Sequence, residues 1–474
     1  MERNVRPLCV DLDGTLVHTD LLIESALSLL QKNPFAIFSM LFWLTKGRAH
    51  LKRQIANRAT LEASLLPYNS ELVHWLKAEA SKRTIVLVTA SDALIANAVA
   101  REKGLFSDVI ASDGAVNLSG TNKARRLREL FGDGQFDYVG NAKIDLKVWR
   151  HSHTAIVVSN NRTLRRKAAN LTEEAVFFAQ PKRSFRLWAR ALRLHQWIKN
   201  LLVFIPLLAA HRLLEGAAIA SASLAFISFG LCASGVYLLN DLLDLAADRA
   251  HRTKKERPFA AGSLSLKAGI FAIPLLTASS IGLALVFLPE RFLWVLLIYL
   301  ATTITYSFSF KRIPLLDVVT LAGLYTIRII AGTVAILTSL SFWLLAFSVF
   351  IFLSLAILKR CIELNAAKER QITEIAGRAY RADDLSVLQP MGVASGYLSV
   401  LVLALYINSA SSEALYRHPQ FLWLVCPCLL YWISRSWFVA HRGIMTDDPI
   451  IFAVRDHTSQ ATLAIAGILA LLAL

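Results

Sequence analysis

The chain has 474 residues, 55% of them hydrophobic, with a mean hydropathy of +0.48 and a formal net charge of +17. A soluble protein of that composition would leave too much apolar surface in water, so a single soluble globule is excluded and a polytopic membrane protein is expected. The positive charge suits an anionic membrane face and phosphorylated substrates, and the apolar segments argue against a nucleic-acid partner.

The chain opens MERNVRPLCVDLDGTL and moves straight into a polar turn, without the apolar core and small-residue cleavage site of a secretory signal, so no cleaved leader is expected. Residues 1 to about 180 read as a soluble domain. PLCVDLD, TIVLVTAS, DVIAS, FDYVG and TAIVVS are short apolar or β-branched runs separated by helical stretches. That alternation predicts a parallel sheet wound with helices. Residues 20–80, between the first two runs, read as a helical cap. Within it PFAIFSMLFWL, residues 34–44, is strongly apolar yet too short to span a bilayer. A buried cap helix is expected there, with contact at a membrane surface as the alternative.

Asp11 and Asp13 end the first strand, so both side chains project from one face at the carboxyl edge of the sheet. One carboxylate can attack phosphorus to form an aspartyl-phosphate. The other can protonate the leaving oxygen and then activate water. VDLDGTL resembles the first motif of the haloacid dehalogenase (HAD) superfamily. The remaining motifs stand in order, with Thr89 in IVLVTAS, Lys123 in NKARRL and GNAKID at 140–145. The resemblance covers residues 1 to about 165. It implies a Rossmann-like HAD phosphatase domain over 1–180, with Mg²⁺ at Asp11, Asp13, Asn141 and Asp145 and substrate contacts from Thr89 and Lys123. Asn141 departs from the GDxxxD pattern of that family. An amide oxygen brings less charge to Mg²⁺, so weak activity or a regulatory role stays open beside an active phosphatase.

Nine apolar segments follow, at roughly 199–213, 216–239, 265–288, 291–308, 314–336, 341–359, 391–408, 420–436 and 457–474, each of about the length that crosses a bilayer. Under strict alternation one set of loops holds Arg249–Arg257, Lys311–Arg312, Lys359–Arg381 and Arg435–Arg455. The other holds only Arg212, Arg291 and Arg417. A basic excess marks cytoplasmic loops, so the soluble domain and the charge clusters are expected in the cytoplasm. The five cysteines form no disulfide framework, and Cys426 and Cys428 of the CPC in an apolar run are expected to pack rather than bind metal.

The charge concentrates at the helix mouths. NDLLDLAADRAHRTKKERP, from Asn240 to Pro258, follows directly on an apolar run. On one helix Asp241, Asp244 and Asp248 sit at i, i+3 and i+7, a single narrow face. Three carboxylates on one stripe call for a cation, and Mg²⁺ shared with a diphosphate is the usual one. Asn240 adds a neutral oxygen, and Lys254 and Arg257 are placed to grip phosphate. YSFSFKRIPLLDVV sets Tyr306, Lys311 and Asp317 at a second mouth. Arg328 in TIRIIAG calls for an anionic partner. ILKRCIEL brings Lys359, Arg360 and Glu363 to a third mouth, and LHQWIKN adds Lys199. The bland alternative, solvated charge-balanced loops, fits the basic residues better than the acids, because carboxylates at membrane depth are costly.

The first of these stretches resembles the first aspartate-rich motif of the UbiA-type intramembrane prenyltransferase superfamily, and KRIPLLD resembles its second. HQWIKN, DRAHRTKKERPFAAG, LLDVVTLAGLYTIRIIAG, LKRCIEL and DDPIIFAVRDHTSQ are similar to its decaprenyl-phosphate phosphoribosyltransferase-like branch, over about 190–474. The resemblance implies an all-α UbiA-like transmembrane domain of nine helices over 185–474, in a bacterial cell (inner) membrane. Asp241, Asp244 and Asp248 would hold Mg²⁺ on the diphosphate of phosphoribosyl pyrophosphate, with help from Asp317. Lys254, Arg257, Lys311, Arg328, Lys359 and Arg360 would contact phosphates. The acceptor would be a polyprenyl phosphate, an anion that attacks without a general base, which leaves His195 and His251 as hydrogen-bonding residues.

The aromatic-prenylating members carry a second DxxxD, whereas Leu321 stands four residues after Asp317 here. That departure disfavours the rival reading, transfer from a polyprenyl diphosphate to an aromatic acceptor with a regulatory HAD domain. A transporter would hold its charges near the midplane rather than at helix mouths. The adjacency of the two motif sets suggests that the phosphatase removes the 5-phosphate from the transferase's lipid-linked product. An oligomer is compatible with the sequence, which does not set its size.

Overall fold

The computed structural model describes residues 6–181, 184–369, 380–445 and 448–474. The chain forms two compact units. Met1–Leu192 and Tyr237–Ile273 make one, Arg193–Val236 and Pro274–Leu474 the other.

The first unit is built on a parallel sheet of six strands: β1 (Leu8–Val10), β2 (Ile85–Asp92), β3 (Asp108–Ser112), β4 (Asp137–Gly140), β5 (Thr154–Val158) and β6 (Glu174–Phe178), ordered β3-β2-β1-β4-β5-β6. Cys9 of β1 stands opposite Val86 on one side and Tyr138 on the other. The side chains of β1 alternate between two cores. Leu8 and Val10 join Leu72, Leu76 and Leu87, while Cys9 joins Val86, Leu127, Tyr138 and Trp149. With both faces covered, the inner strands read as continuous apolar runs. The sequence analysis missed β6. It is an edge strand that buries only Phe178 fully, although residues 175–179, AVFFA, form an apolar run like those that marked the others.

Helices Leu21–Lys32, Ala36–Thr45 and Arg48–Ala56 follow β1. Helix Ser70–Ala80 packs Leu72 and Leu76 against the sheet. The buried helix expected over 34–44 does not form as such. Helix Ala36–Thr45 buries only Ala36 and Met40, and leaves Phe35, Phe38 and Phe42 at 75%, 68% and 59% exposure. Only one narrow stripe of it faces Leu29 and Ile55.

The segment Tyr237–Ile273 folds with this sheet unit rather than with the other helices. Its tie is an ion pair between Glu24 and Arg249, both buried. The second carboxylate oxygen of Glu24 lies 3.0 Å from Nη2 of Arg249. A buried pair of this kind costs about 3–5 kcal/mol to break from one side.

The second unit is helical. Among the described residues seven helices are long and apolar enough to cross a membrane: Gly216–Leu243, Leu266–Phe287, Glu290–Phe308, Leu316–Ala335, Phe342–Glu369, Ala382–Ile407 and Pro419–His441. The expected count of nine is therefore corrected to seven. The segments expected at 199–213 and 457–474 form the shorter apolar helices Leu194–Ala209 and His457–Leu472. His457–Leu472 has 16 residues. At about 1.5 Å per residue such a helix falls short of a hydrocarbon core of about 30 Å. Leu194–Ala209 passes from a 3₁₀ stretch, Leu194–Phe204, into a short α-helix at Pro206. The basic loop expected between Lys359 and Arg381 lies partly outside the described residues, at 370–379. The cysteines are free, and Cys426 is packed in the apolar core.

Gly332 fixes one close approach in this bundle. A Cβ there would stand 2.0 Å from the carbonyl oxygen of Val203, whereas Gly323 on the same helix has open space. Small residues permit such backbone contact between membrane helices. Gly332→Ala is expected to destabilise the detergent-solubilised protein by about 1–3 kcal/mol or more. Gly323→Ala should be neutral, and thermal melting of the two variants side by side checks the difference.

Candidate functional site

In the first unit the strand order reverses between β1 and β4, which opens a crevice at their carboxyl ends. Asp11 follows β1 directly, and Asn141 follows β4. Asp11, Asp13, Lys123, Asn141 and Asp145 line one cavity there of about 380 Å³. The Lys123 ammonium donates to Oδ1 of Asp11 (2.7 Å), to Tyr138 Oη (2.9 Å) and to the carbonyl of Val88 (3.2 Å). Thr15 donates to the other oxygen of Asp11. Asp13 accepts from Ser91 Oγ at 2.6 Å, from the Leu21 amide at 2.7 Å and from Thr89 Oγ1 at 3.4 Å. Thr89, expected as a substrate contact, is fully buried and aimed at Asp13. Asp145 accepts from the amides of Asn141 and Ala142 and from the Tyr138 hydroxyl.

The crowding of these acids sets their protonation. Burial pushes Asp13 up to about 6, with the charges of Asp20 and Asp11 adding to it against the hydrogen bonds from Ser91 and Leu21. Burial and the neighbouring Asp11 also raise Asp145, against Lys123. For Lys123 burial works against the charge, but Asp11 and Asp145 outweigh it and hold the ammonium charged. Among the described residues no three His, Cys, Asp or Glu side chains gather closely enough to hold a metal by themselves. The oxygen donors of Asp11, Asn141 and Asp145 on one cavity still suit a hard cation whose remaining positions are filled by water and phosphate oxygens.

The far wall of this cavity comes from the chain between two membrane helices. Gly262, Ser263, Ser265, Leu266 and Lys267 line it. Gly262 has φ of +69°, and a Cβ there would lie 2.6 Å from the Cβ of His18. Lys267 pairs with Asp20 at 3.0 Å. Nothing in the sequence signalled this wall.

The aspartate-rich segment lies in the same unit, but not on one continuous helix as expected. Helix Gly216–Leu243 ends, Asp244 departs with ψ of 19°, and a second helix runs Leu245–Ala250. The amides of Asp244 and Asp248 still donate to Asn240 and Asp244, so Asp241 and Asp248 stay on one side. Arg257 stands between them, with Nη1 3.1 Å from Asp241 and 2.7 Å from Asp248. Burial raises the Asp248 pKa, and Arg257 opposes the rise. Asp244 accepts instead from the Gln31 side chain at 3.0 Å. Asn240 sits half-buried in the last turn of Gly216–Leu243, and Lys254 is exposed on the 3₁₀ turn Lys254–Glu256. The side chain of His251 meets the amides of Thr253 and Lys254, as a hydrogen-bonding residue should.

In the second unit the other expected residues fall into three clusters. Asp317 is fully buried against Arg360, whose Nε lies 2.7 Å from Oδ2, and it accepts from Tyr306 at 2.7 Å. Arg360, expected on phosphate, is thus engaged by Asp317 and by Glu363. Lys199 and Lys359 converge on Asp448, at 2.7 and 3.0 Å. Burial would raise the Asp448 carboxyl, but the two ammonium groups hold it well below the usual range. Asp448 was missed as a site residue, although DDPIIFAVRDHTSQ contains it. Its neighbour Asp447 lies outside the described residues. Among the described residues Arg328 is held by neutral oxygens. It donates to Asn200 Oδ1 (2.9 Å), to the Tyr299 hydroxyl (3.1 Å) and to the Leu324 carbonyl. Lys311 is half-buried on the 3₁₀ turn Phe310–Arg312.

Comparison with known proteins adds to this geometry. The profile of the UbiA prenyltransferase family matches residues 202–452. An uncharacterized protein of Sinorhizobium fredii, y4nM, is 35% identical over 457 residues, 96% of this chain and 88% of its own. The decaprenyl-phosphate phosphoribosyltransferase of Mycolicibacterium smegmatis is 37% identical over 210 residues, 42% of this chain and 64% of that protein, less than two thirds of its length. A solved structure of a UbiA homolog from Archaeoglobus fulgidus, bound to GPP and Mg²⁺, aligns with 60% of this chain and 99% of its own at 15% identity and a TM-score of 0.46.

The Asp317–Arg360 pair generates a direct expectation. Both side chains are 0% exposed. Asp317→Asn should therefore destabilise the protein by up to about 3–5 kcal/mol, because it removes the buried carboxylate on this guanidinium and leaves it only the partly exposed Glu363. The double variant Asp317→Leu/Arg360→Met should recover much of that loss, and melting midpoints in detergent would show it.

Proposed function

The chain belongs to the UbiA prenyltransferase family, and we propose that it transfers 5-phosphoribosyl from phosphoribosyl pyrophosphate to a polyprenyl phosphate, releasing pyrophosphate. We further propose that its sheet domain is an HAD-type phosphatase that removes the 5-phosphate from the lipid-linked product.

The observation that carries the transferase reading is the aspartate-rich segment. Asp241 and Asp248 are buried and share one guanidinium, and Asp244 accepts from Gln31 at the turn between them. Mg²⁺ held by these aspartates would supply charge neutralisation for the departing diphosphate. Arg257 and Lys254 are the phosphate grips of the same segment, and Lys199, Lys359 and Lys311 supply cations in the second unit. Tyr306 and Arg360 position Asp317, and Asn200 orients Arg328. As C1 of the ribose loses pyrophosphate it gains oxocarbenium character, and an oxygen of the lipid phosphate closes the new C–O bond. The acceptor is already an anion, so no general base is required. Leu321, where aromatic-prenylating members carry an acid, and the likeness to the mycobacterial enzyme both favour this donor and acceptor.

The phosphatase reading rests on Asp11, Asp13 and Lys123 at one cavity. Asp11 attacks phosphorus and forms the aspartyl-phosphate. Asp13, protonated, gives its proton to the leaving ribose oxygen, then accepts one from the water that cleaves the aspartyl-phosphate. Lys123 holds Asp11 in place and balances charge on the phosphoryl oxygens. Asn141 and Asp145 suit Mg²⁺, which would neutralise the phosphate. We propose that the basic loops, and with them the sheet unit that folds together with the loop holding Arg249–Arg257, lie on the cytoplasmic side of a bacterial inner membrane, as an excess of Lys and Arg favours.

The decisive experiment supplies purified protein with Mg²⁺, labelled phosphoribosyl pyrophosphate and a polyprenyl phosphate, and resolves the lipid products. Asp241→Asn should abolish labelled lipid. Asp11→Asn should leave the transfer intact and lower phosphate release by about 10³-fold or more, so that the phosphorylated lipid accumulates. No labelled lipid from intact wild type would overturn the phosphoribosyl reading in favour of aromatic prenyl transfer.

The pH profile gives a separate check. The proton donor Asp13 titrates at about 6, so kcat/KM for phosphate release should fall as pH rises through that value. Asp20→Asn keeps the helix cap and removes one of the charges that raise Asp13, and so should move the alkaline limb to lower pH.

A further inference from the structure

We infer that helix Ala36–Thr45 lies in the headgroup region of an anionic lipid leaflet and anchors the sheet domain there. The inference does not depend on either reaction.

The helix exposes a broad apolar face, about half of its circumference, opposite its buried stripe. Phe35, Phe38, Leu41 and Phe42 are 75%, 68%, 56% and 59% exposed. Ala36 and Met40, one turn apart, turn inward with Trp43 against Leu29 and Ile55, so the helix is fixed to its unit by one stripe. An interfacial helix lays such an apolar face into the boundary between headgroups and acyl chains.

Charge selects the surface. Residues 25–61 contain Lys32, Lys46, Arg48, Lys52, Arg53 and Arg58 and no Asp or Glu. Lys52 turns inward to the Ala90 carbonyl and Asn117, and Arg53 pairs with Asp92. The other four remain exposed around the apolar helix. Lys46 lies over the Phe42 ring and Arg58 over the Trp43 ring, each 4.8 Å from the centroid. Aromatic rings beside long cationic side chains suit the boundary between acyl chains and anionic headgroups, where each basic residue adds about 1 kcal/mol.

Position in the unit agrees. Gln31 donates to Asp244, one residue past Leu243, where an apolar helix long enough to cross the membrane ends. Phe35 is four Cα steps from Gln31, at most about 15 Å. The apolar helix thus begins within reach of the level at which a membrane helix leaves the hydrocarbon, and an interfacial helix buries its face about 5–10 Å into that boundary.

The test uses full-length protein in vesicles containing phosphatidylglycerol, spin-labelled at Phe38→Cys, Phe42→Cys or the exposed site Glu129→Cys, with collision accessibility to oxygen and to a nickel chelate. An oxygen-to-nickel ratio severalfold higher at Phe38→Cys and Phe42→Cys than at Glu129→Cys is expected, and it should fall in vesicles of phosphatidylcholine alone. Equal ratios at all three positions would overturn the proposal. So would dipolar broadening that vanishes when labelled protein is diluted with unlabelled, because a second copy would then cover the helix.

Discussion

The buried ion pair of Glu24 and Arg249 is the interaction on which the first unit depends. Thr19 donates to Glu24, and Arg249 also donates through Nε to the carbonyl of Ala260 at 2.8 Å. One guanidinium therefore ties the helix after β1 both to the aspartate-rich segment and to the returning strand of its loop. Two residues past Ala260, Gly262 packs on His18 and begins the cavity wall. The contact of Gln31 with Asp244 comes from the same helix as Glu24. The pair works together with the contact of Lys267 with Asp20 and the packing of Gly262 on His18 to hold that wall against the crevice of the sheet.

The second unit obeys the same rule under harsher conditions. A charge taken out of water must be met by opposite charge or by oriented dipoles. Asp317 is met by Arg360, and Asp448 by Lys199 and Lys359. Among the described residues Arg328 is met by neutral oxygens, from Asn200, Tyr299 and Leu324. These contacts fix the geometry of polar groups in an apolar bundle, and they leave Lys199 and Lys359 sharing a single carboxylate. Two cations on one anion carry a surplus of positive charge, the condition a polyanionic substrate satisfies.

Much of this was legible in the sequence. The inner strands announced themselves as apolar runs because both sheet faces are covered, whereas β6 went unread although AVFFA at 175–179 is as apolar, and only Phe178 of it is buried. Asp11 and Asp13 could be placed at one edge because they end a strand of a parallel sheet, and Lys123, Asn141 and Asp145 were assigned to them by motif resemblance alone. What the pattern could not show was pairing across long separations. Arg257 was legible as a cation, but not as the bridge between Asp241 and Asp248. Arg360 was legible as basic, but not as the counterion of Asp317. Apolar length alone overcounted the spans, because hydropathy does not register a 3₁₀ stretch such as Leu194–Phe204 or a helix that stops at 16 residues. The exposed face of Ala36–Thr45 was open from the start. Composition gives the apolarity, and only packing shows which side is left uncovered.

The loop between the helices ending at Leu243 and starting at Leu266 has a final consequence. Surface loops ordinarily absorb insertions and deletions freely, since closure entropy grows slowly with length. This one places Arg257 on two aspartates at one point and Gly262 on His18 at another, only five positions apart. A single added or lost residue between them would put one or the other out of register. Its length should then drift far less among descendants of this chain than that of the polar connection after Ile407.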